Sequence, residues 1–243
     1  MTAVVRWDFS GCHDLGLHSL IKSIFAFRDL YGDQDWIYCV THNYAKQIHL
    51  KKLRDELPWV ILIDQTKKKY DLSLPPPGRS QKNPAWNLYP PVLFADRPEV
   101  HFDNDVILYR KIPEIEELLR GKIDAFISSA FRRSYSGYFL DAVVDAYNCG
   151  FFGVCGNSHF SDLIKSSLSH QKRWSHHFDA QTLVGLAMQK LSAKKIETDV
   201  VSVTGQHTHK YFGSHGSHFV GLNSGNDHAV RYFRRFLSMQ NIL

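Results

Sequence analysis

Short apolar runs alternate with amphipathic segments over the first 64 residues, and this alternation constrains the fold more than any other feature of the sequence. Residues 3–7 form a β-branched run, and apolar residues at helical spacing follow over 17–30. Residues 36–41 predict a second strand, 44–57 a second helix and 59–63 a third strand. Strands that alternate with helices form a parallel sheet with both faces covered. The sequence therefore predicts an α/β fold with a mostly parallel central sheet flanked by helices.

The rest of the chain continues this pattern without a repeat or a linker, which predicts one domain over residues 1–243. Two parts differ from it: a Lys- and Pro-rich segment over 66–91, typical of a functional loop, and a polar C-terminal part over 205–243. The further strands are predicted over 100–108, 125–128, 149–154 and 198–203, and the further helices over 113–119, 179–191 and 228–237.

The composition excludes several classes of protein. With 44% hydrophobic and 22% charged residues, the chain is typical of a globular protein. Its four cysteines contain no CxxC pair, which argues against a disulfide framework or a zinc ribbon and favours a cytoplasmic location. No apolar stretch approaches the roughly 18 residues of a membrane span, so no transmembrane segment is expected. The net charge of +5 is modest and scattered, and no nucleic-acid partner is expected.

Two carboxylates interrupt the apolar run over 100–108. If Asp103 and Asp105 were part of a regular strand, both side chains would lie on one face of a buried sheet. Two buried like charges are costly unless a cation accompanies them. Carboxylate oxygens suit Mg²⁺ or Mn²⁺, and substrate phosphates commonly complete the coordination of these ions. The alternative is a solvated Asp-Asn-Asp turn between two strands.

The surrounding sequence resembles a known family. The segment LYPPVLFADRPEVHFDNDVIL (88–108) is similar to the DxD region of GT-A-fold glycosyltransferases. Four further segments stand in that family's order, and the pattern is most similar to the glycogenin-like and lipopolysaccharide galactosyltransferase families. These segments are VVRWDFS (4–10), YNCGFFG (147–153), FDAQTLVGL (178–186) and QHTHKYFGSHGSH (206–218).

The resemblance implies a single Rossmann-like GT-A domain with a metal-dependent activity. The expected reaction moves a hexose from a nucleoside-diphosphate sugar, UDP-glucose or UDP-galactose, to a saccharide, glycolipid or protein acceptor. A cation, Mn²⁺ or Mg²⁺, would stabilise the leaving diphosphate. Residues 66–91 would then be a loop on the donor side, and 205–243 a C-terminal lid and helix.

The resemblance also implies a set of metal ligands. Asp103 and Asp105 would bind the cation, together with a late histidine in an H-x-x-G-x-x-K pattern. The spacing of residues 206–218 does not match that pattern; we favour His209, with His207 as the substitute. A solvated, His-bearing loop is the alternative. The nearby His215 and His218 lie in a Gly- and Ser-rich stretch and are predicted to belong to the lid.

Donor contacts and catalytic groups follow from the same resemblance. Asp8 ends the first predicted strand, where open α/β sheets bind ligands, although an Asp there also suits a turn or a helix N-cap. Asp179 would act as the base for the acceptor hydroxyl if the enzyme inverts, and Asn148 or Gln181 would steady the sugar if it retains. The residues expected to contact the donor are Asp8, Lys82, Asn87, Asp103, Asn104 and Asn148.

Three alternatives to a glycosyltransferase remain open at this point. A phosphotransferase of haloacid-dehalogenase type would use the first Asp of D-x-D as a nucleophile, but it expects that pair early in the chain. A non-catalytic nucleotide-sugar-binding protein would keep the acid pair without turnover. A basic RNA-binding protein would bind nucleic acid with a steep salt dependence.

Overall fold

The computed structural model describes residues 2–10, 13–66, 90–130, 146–169, 179–204, 212–222 and 225–240. Four of the residues singled out from the sequence lie outside these ranges, and their roles stay predictions. They are Lys82, Asn87, His207 and His209.

The described residues form ten strands and six helices. The strands are β1 (Ala3–Ser10), β2 (Trp36–Asn43), β3 (Ile61–Asp64), β4 (Glu99–Asp103), β5 (Val106–Leu108), β6 (Ala125–Ser129), β7 (Tyr147–Val154), β8 (Lys194–Ile196), β9 (Val201–Val203) and β10 (Gly216–His218). The helices are α1 (Asp14–Tyr31), α2 (Gln47–Glu56), α3 (Pro113–Leu119), α4 (Phe160–Ser169), α5 (Asp179–Lys190) and α6 (Asp227–Gln240).

The larger sheet confirms the predicted α/β fold class. Its seven strands follow the order β3-β2-β1-β4-β7-β6-β8, and the strands from β3 to β4 are parallel neighbours. Strand β7 is antiparallel to both β4 and β6, so the sheet is mostly rather than wholly parallel. The carboxyl ends of β1, β2 and β4 therefore meet at one edge, where such sheets bind ligands.

Helix α1 covers one face of this sheet with an aromatic core. The ring of Trp7 stacks on that of Phe102 at 5.4 Å and contacts Phe27 of α1 edge to face. The indole N–H of Trp7 also donates to Ser23 Oγ at 2.8 Å, which satisfies the polar atom of a fully buried ring. On the opposite face, Phe152 of β7 packs with residues of α4 and α5.

The smaller sheet has three strands in the order β5-β10-β9. Strand β10 is parallel to β9 and antiparallel to β5. Helix α6 packs on this unit through Phe233 and Phe236, which contact Phe219 just after β10. This helix begins where Asn226 Oδ1 accepts from the backbone N–H groups of His228 and Ala229, an ordinary N-cap.

Several predicted boundaries differ from the structure for identifiable reasons. The single strand expected over 100–108 is two strands, because residues 104 and 105 form a turn through which the chain leaves the larger sheet for the smaller one. Helix α2 begins at Gln47 rather than at Tyr44, because Tyr44 has a φ of 52°, which a right-handed helix does not allow. Strand β10 occupies part of the segment that was predicted to be a lid.

Candidate metal and donor site

Three side chains meet where the two sheets join. Asp103 ends β4, Asp105 lies in the turn that follows, and His218 ends β10, paired with Val106 of β5. His218 Nε2 lies 3.0 Å from Asp105 Oδ1 and 3.5 Å from Asp103 Oδ2. One ligand atom from each residue lies within 4.8 Å of the others. The acid pair is thus both a turn between strands and one part of a three-residue cluster that could hold a metal ion.

His218 is held by hydrogen bonds to the strand that carries it. The hydroxyl of Thr204 donates to the carbonyl of His218 at 2.8 Å, and Ser202 Oγ donates to Ser217 Oγ at 3.0 Å. The Tyr109 hydroxyl contacts the carbonyl oxygens of Gly213 and Gly216. His218 is therefore a buried and positioned side chain rather than the lid residue that the sequence predicted.

The electrostatics of the cluster favour a cation. Burial raises the pKa of Asp103 to about 6, and the charge of Asp105 adds to this although His218 and His101 oppose it. Burial disfavours the charged imidazole, but Asp105 and Asp103 together raise the pKa of His218. Its Nδ1 atom is buried and has no hydrogen-bond partner among the described residues. Two carboxylates and an imidazole, of which Asp105 and His218 are buried and Asp103 is partly exposed, fit a divalent cation that a ligand can still reach.

Gly150 makes room for this cluster. A Cβ atom at position 150 of β7 would lie 2.2 Å from His218 Cε1 and 2.7 Å from Asp103 Oδ2. Both distances are far below van der Waals contact. The close approach of β7 to the cluster therefore requires glycine at this position.

The side chains of Asn148 and Gln181 both form hydrogen bonds with the backbone of β7. Asn148 Oδ1 accepts from the N–H of Gly150 at 2.8 Å, near an irregularity in the pairing of β7 with β6. Gln181 Nε2 donates to the carbonyl of Tyr147 at 2.9 Å. Both side-chain amides are thus hydrogen-bonded to the backbone of β7, the strand that approaches the two acids. Asp179 is the first residue of α5, and its side chain lies outside the described part of the structure.

Asn104, predicted to contact the donor, is only 2% exposed. Its Nδ2 donates to the carbonyl of Gly16 at 3.1 Å, near the beginning of α1. The hydrogen bond of Asn104 therefore connects the turn between Asp103 and Asp105 to helix α1. Donor contact by Asn104 stays a prediction.

Asp8, the other predicted donor contact, is a member of a buried ion-pair network. Its Oδ2 lies 2.7 Å from His101 Nε2, and its Oδ1 accepts from the hydroxyl of Thr41 and lies 3.8 Å from Arg6 Nε. Burial alone would raise the pKa of Asp8, but His101 and Arg6 outweigh it and hold that pKa below its usual value. Only 4% of the Asp8 side chain is exposed.

The same network fixes the chain segment that enters β4. Arg6 lies 3.2 Å from Glu99 Oε1 and donates to the carbonyl of Pro90 at 2.9 Å. Glu99 Oε2 accepts from the N–H of Leu93 at 2.6 Å. Burial raises the pKa of Glu99 despite the guanidinium beside it. Sequence reasoning missed these residues, although charged side chains at alternate positions of two buried strands were a visible signal.

Replacing Arg6 by Met should destabilise the protein by about 3 kcal/mol, because it leaves Glu99 buried without its cation. Urea unfolding measures this change in the free energy of unfolding. Arg120→Met is the control, since Arg120 pairs with Glu116 on the surface, where such pairs contribute below about 1 kcal/mol. Equal losses in the two variants would show that the buried network does not stabilise the fold.

The sequence also held a signal for His218. It stands three residues before Gly221, which is the H-x-x-G spacing that the resemblance requires, and Ser224 stands where the pattern has Lys. The choice of His209 rested on proximity to the preceding strand. Within the described residues, the cluster with the two acids contains His218 alone among the histidines.

Comparisons with known structures agree with this fold. The galactosyltransferase LgtC, solved with donor and acceptor sugar analogs, is similar at a TM-score of 0.57 and 11% identity; the match covers 95% of this chain and 94% of LgtC. Mouse xyloside xylosyltransferase 1 is similar at a TM-score of 0.55 and 9% identity, over 91% of this chain and 98% of that enzyme. The fold of this chain is that of GT-A glycosyltransferases.

A third similar structure is longer than this chain. The glycosyltransferase GlyE of Streptococcus pneumoniae matches at a TM-score of 0.50 and 13% identity, over 83% of this chain but 46% of GlyE. No protein-family model matches the sequence, and neither does any curated protein. Among the described residues, no helix combines the length and the apolar character needed to cross a bilayer.

Proposed function

We propose that this chain is a metal-dependent glycosyltransferase that uses a nucleoside-diphosphate sugar as its donor. The observation that carries the proposal is the cluster of Asp103, Asp105 and His218 at the ligand-binding edge of a GT-A sheet. Fold similarity at these identities supports the architecture, and the chemistry of the cluster supports the activity.

The three residues of the cluster would hold Mn²⁺ or Mg²⁺. When bound, such a cation supplies electrostatic stabilisation of the diphosphate as it leaves the sugar. Asp103 and Asp105 contribute carboxylate oxygens, and His218 contributes a ring nitrogen. Asp103 and His218 end strands, and Asp105 directly precedes β5. Because the sheets fix the positions of these residues, the diphosphate would be held at a fixed place relative to β7.

We assign the remaining roles around β7. Asn148 and Gln181 would position the transferred sugar, since both amides are attached to the strand beside the acids. Asp179, which begins α5, would take the proton of the acceptor hydroxyl if the enzyme inverts. If it retains, Asn148 or Gln181 would steady the sugar at the reacting carbon.

The proposed donor is a UDP-hexose, glucose or galactose, and the acceptor is a saccharide, a glycolipid or a protein. We also propose a cytoplasmic location. The free thiols of Cys39, Cys149 and Cys155 support it, because secreted domains more often pair their cysteines.

A phosphotransferase of haloacid-dehalogenase type is not favoured. Its acid pair ends an early strand, whereas three strands and two helices precede β4 in this chain. The similar structures reported above are glycosyltransferases. A non-catalytic nucleotide-sugar-binding protein would share the cluster, and only turnover separates it from the proposed enzyme.

A panel of nucleoside-diphosphate sugars with and without Mn²⁺ tests the proposal. We expect one donor with Mn²⁺ to raise the melting temperature by several degrees, as about 100-fold excess over Kd gives about 2.7 kcal/mol. Slow release of the nucleoside diphosphate should accompany this, because water can replace a missing acceptor. Stabilisation without release would indicate a binding protein, and no response to any donor would contradict the proposal.

A further inference from the structure

The pairing of β7 with β6 is interrupted next to the metal cluster. Phe152 of β7 is paired with Ile127 of β6, but the next pair along the two strands joins Asn148 to Ser128. Residues 149–151 of β7 therefore have no counterpart in β6, and we call them the β7 bulge. Bulges in antiparallel pairs redirect a strand locally and are over-represented beside active sites.

The β7 bulge carries strand backbone to the proposed metal ligands. Phe151 is still paired with Phe102 of β4, whereas Cys149 and Gly150 are paired with no residue of β4 or β6 within the described strands. A Cβ atom at Gly150 would lie 2.7 Å from Asp103 Oδ2, so this part of the bulge adjoins the cluster. Two peptide units next to the acids are therefore not part of the regular sheet pairing.

Hydrogen bonds from side chains hold the β7 bulge in place. Ser128 is 1% exposed, and its Oγ donates to the carbonyl of Asn148 at 2.9 Å. The amide oxygen of Asn148 in turn accepts from the N–H of Gly150, and Gln181 donates to the carbonyl of Tyr147 just before the bulge. A buried hydroxyl that donates to a carbonyl where strand pairing breaks fixes the backbone at that point. Ser128 is the member of this set that belongs to the facing strand.

The chemistry of the proposed donor places the sugar near this bulge. In a nucleoside-diphosphate sugar, the hexose is joined directly to the distal phosphate of the diphosphate. A cation held by Asp103, Asp105 and His218 would fix that phosphate, so the hexose begins beside the cluster. The β7 bulge reaches the cluster from the side of β6, and peptide N–H and C=O groups suit the hydroxyls of a sugar.

We propose that the β7 bulge forms one wall of the subsite for the transferred hexose and that Ser128 is the positioning residue that fixes this wall. Ser128 acts through the carbonyl of Asn148 and does not itself contact the donor. This inference rests on the proposed function and deepens it, because it names a residue of β6 on which recognition of the sugar depends, rather than recognition of the diphosphate.

A pair of variants in one strand isolates the contact with the bulge. Ser128→Ala removes the hydroxyl that donates to Asn148. Ser129→Ala is the matched control, because Ser129 is the next residue of β6 and is also buried, at 3% exposure. Its Oγ lies 3.4 Å from Glu197 Oε2 and is not bonded to β7. Each variant therefore removes one buried hydroxyl from β6, and only the first one loosens the bulge.

Calorimetric titration in the presence of Mn²⁺ compares UDP with UDP-glucose and UDP-galactose. UDP reaches the metal cluster without a hexose, and the other two probes add the sugar. Ser128→Ala should weaken the better-bound UDP-hexose about fivefold or more and change the affinity for UDP less than about twofold. The reason is that a lost buried hydrogen bond lets the bulge shift while the metal ligands keep their positions. Ser129→Ala should change neither affinity by more than about twofold.

The results distinguish failure of this inference from failure of the proposed function. If Ser128→Ala weakens UDP and the UDP-hexose by the same factor, or binds both like Ser129→Ala, the hydroxyl only stabilises the fold and the inference is wrong. If the unmodified protein binds UDP but neither UDP-hexose, the hexose subsite is wrong while the metal site stands. If it binds none of the three probes, the proposed UDP-hexose donor fails, and this inference fails with it.

Discussion

His218→Ala is expected to lower the turnover of a nucleoside-diphosphate sugar about 1,000-fold and to abolish stabilisation by Mn²⁺. The reason is geometric: His218 lies within 3.5 Å of both acids, and its removal leaves the two carboxylates to hold the cation alone. Loss of the charge stabilisation provided by one metal site corresponds to several kcal/mol in the transition state. The measurements are steady-state release of nucleoside diphosphate and the melting temperature with and without Mn²⁺.

His215→Ala is the matched control for this prediction. His215 lies three residues earlier in the same segment, and its Nδ1 contacts Ser214 Oγ at 2.9 Å rather than either acid. It should keep both the Mn²⁺ response and the turnover. His218→Asn keeps a polar side chain at the buried position, so loss of the Mn²⁺ response in a folded Asn variant separates metal binding from folding. A full Mn²⁺ response in both His218 variants would place the metal elsewhere.

The first half of the larger sheet could be predicted because its information is local. The β-branched runs and the helical spacing that predicted β1, α1 and β2 depend on residues within a few positions of one another. The direction of β7 was not predictable in this way. Whether a strand runs parallel or antiparallel to β4 depends on the path of the intervening chain. An apolar run in the sequence does not reveal that path.

The candidate site was predicted in part. Asp103 and Asp105 could be identified because two acids inside an apolar run are costly without a partner. His218 could not be placed by the same reasoning, because β10 is only three residues long and is defined by its pairing with β5 and β9. Asp103 and Asp105 lie more than 100 positions before His218 in the sequence, so only the tertiary fold brings the histidine to the acids.

The role of Asp8 shows why residue type and position do not fix function. The end of β1 is a common place for a ligand contact, and an Asp there was a reasonable expectation. Arg6 and His101 lie on the same face of neighbouring strands and pair with it. The linear sequence shows Arg6 two residues from Asp8 on the same strand, but it does not show that His101 is the neighbour of Asp8 across the sheet.

Gly150→Ala is expected to eliminate the Mn²⁺ response and to reduce turnover at least about 100-fold, although it adds only one methyl group. The added Cβ would stand 2.2 Å from His218 Cε1 and 2.7 Å from Asp103 Oδ2, so it intrudes on two of the three proposed ligands. The imidazole has little room to rotate away, because His218 is buried and its backbone is held by Thr204 and by the pairing of β10 with β5. The Mn²⁺-dependent change in melting temperature and the release of nucleoside diphosphate measure the effect.

Gly153→Ala provides a control in the same strand with the same chemical change. Its Cβ would meet Phe126 Cε1 at 2.4 Å and Leu118 Cδ2 at 2.9 Å, within the apolar core and away from the acids. Each substitution overpacks its surroundings and should cost about 1–3 kcal/mol of stability. Only the change at Gly150 should cost the Mn²⁺ response as well. If both variants lose stability alike and both keep that response, the close approach of β7 does not shape a metal site.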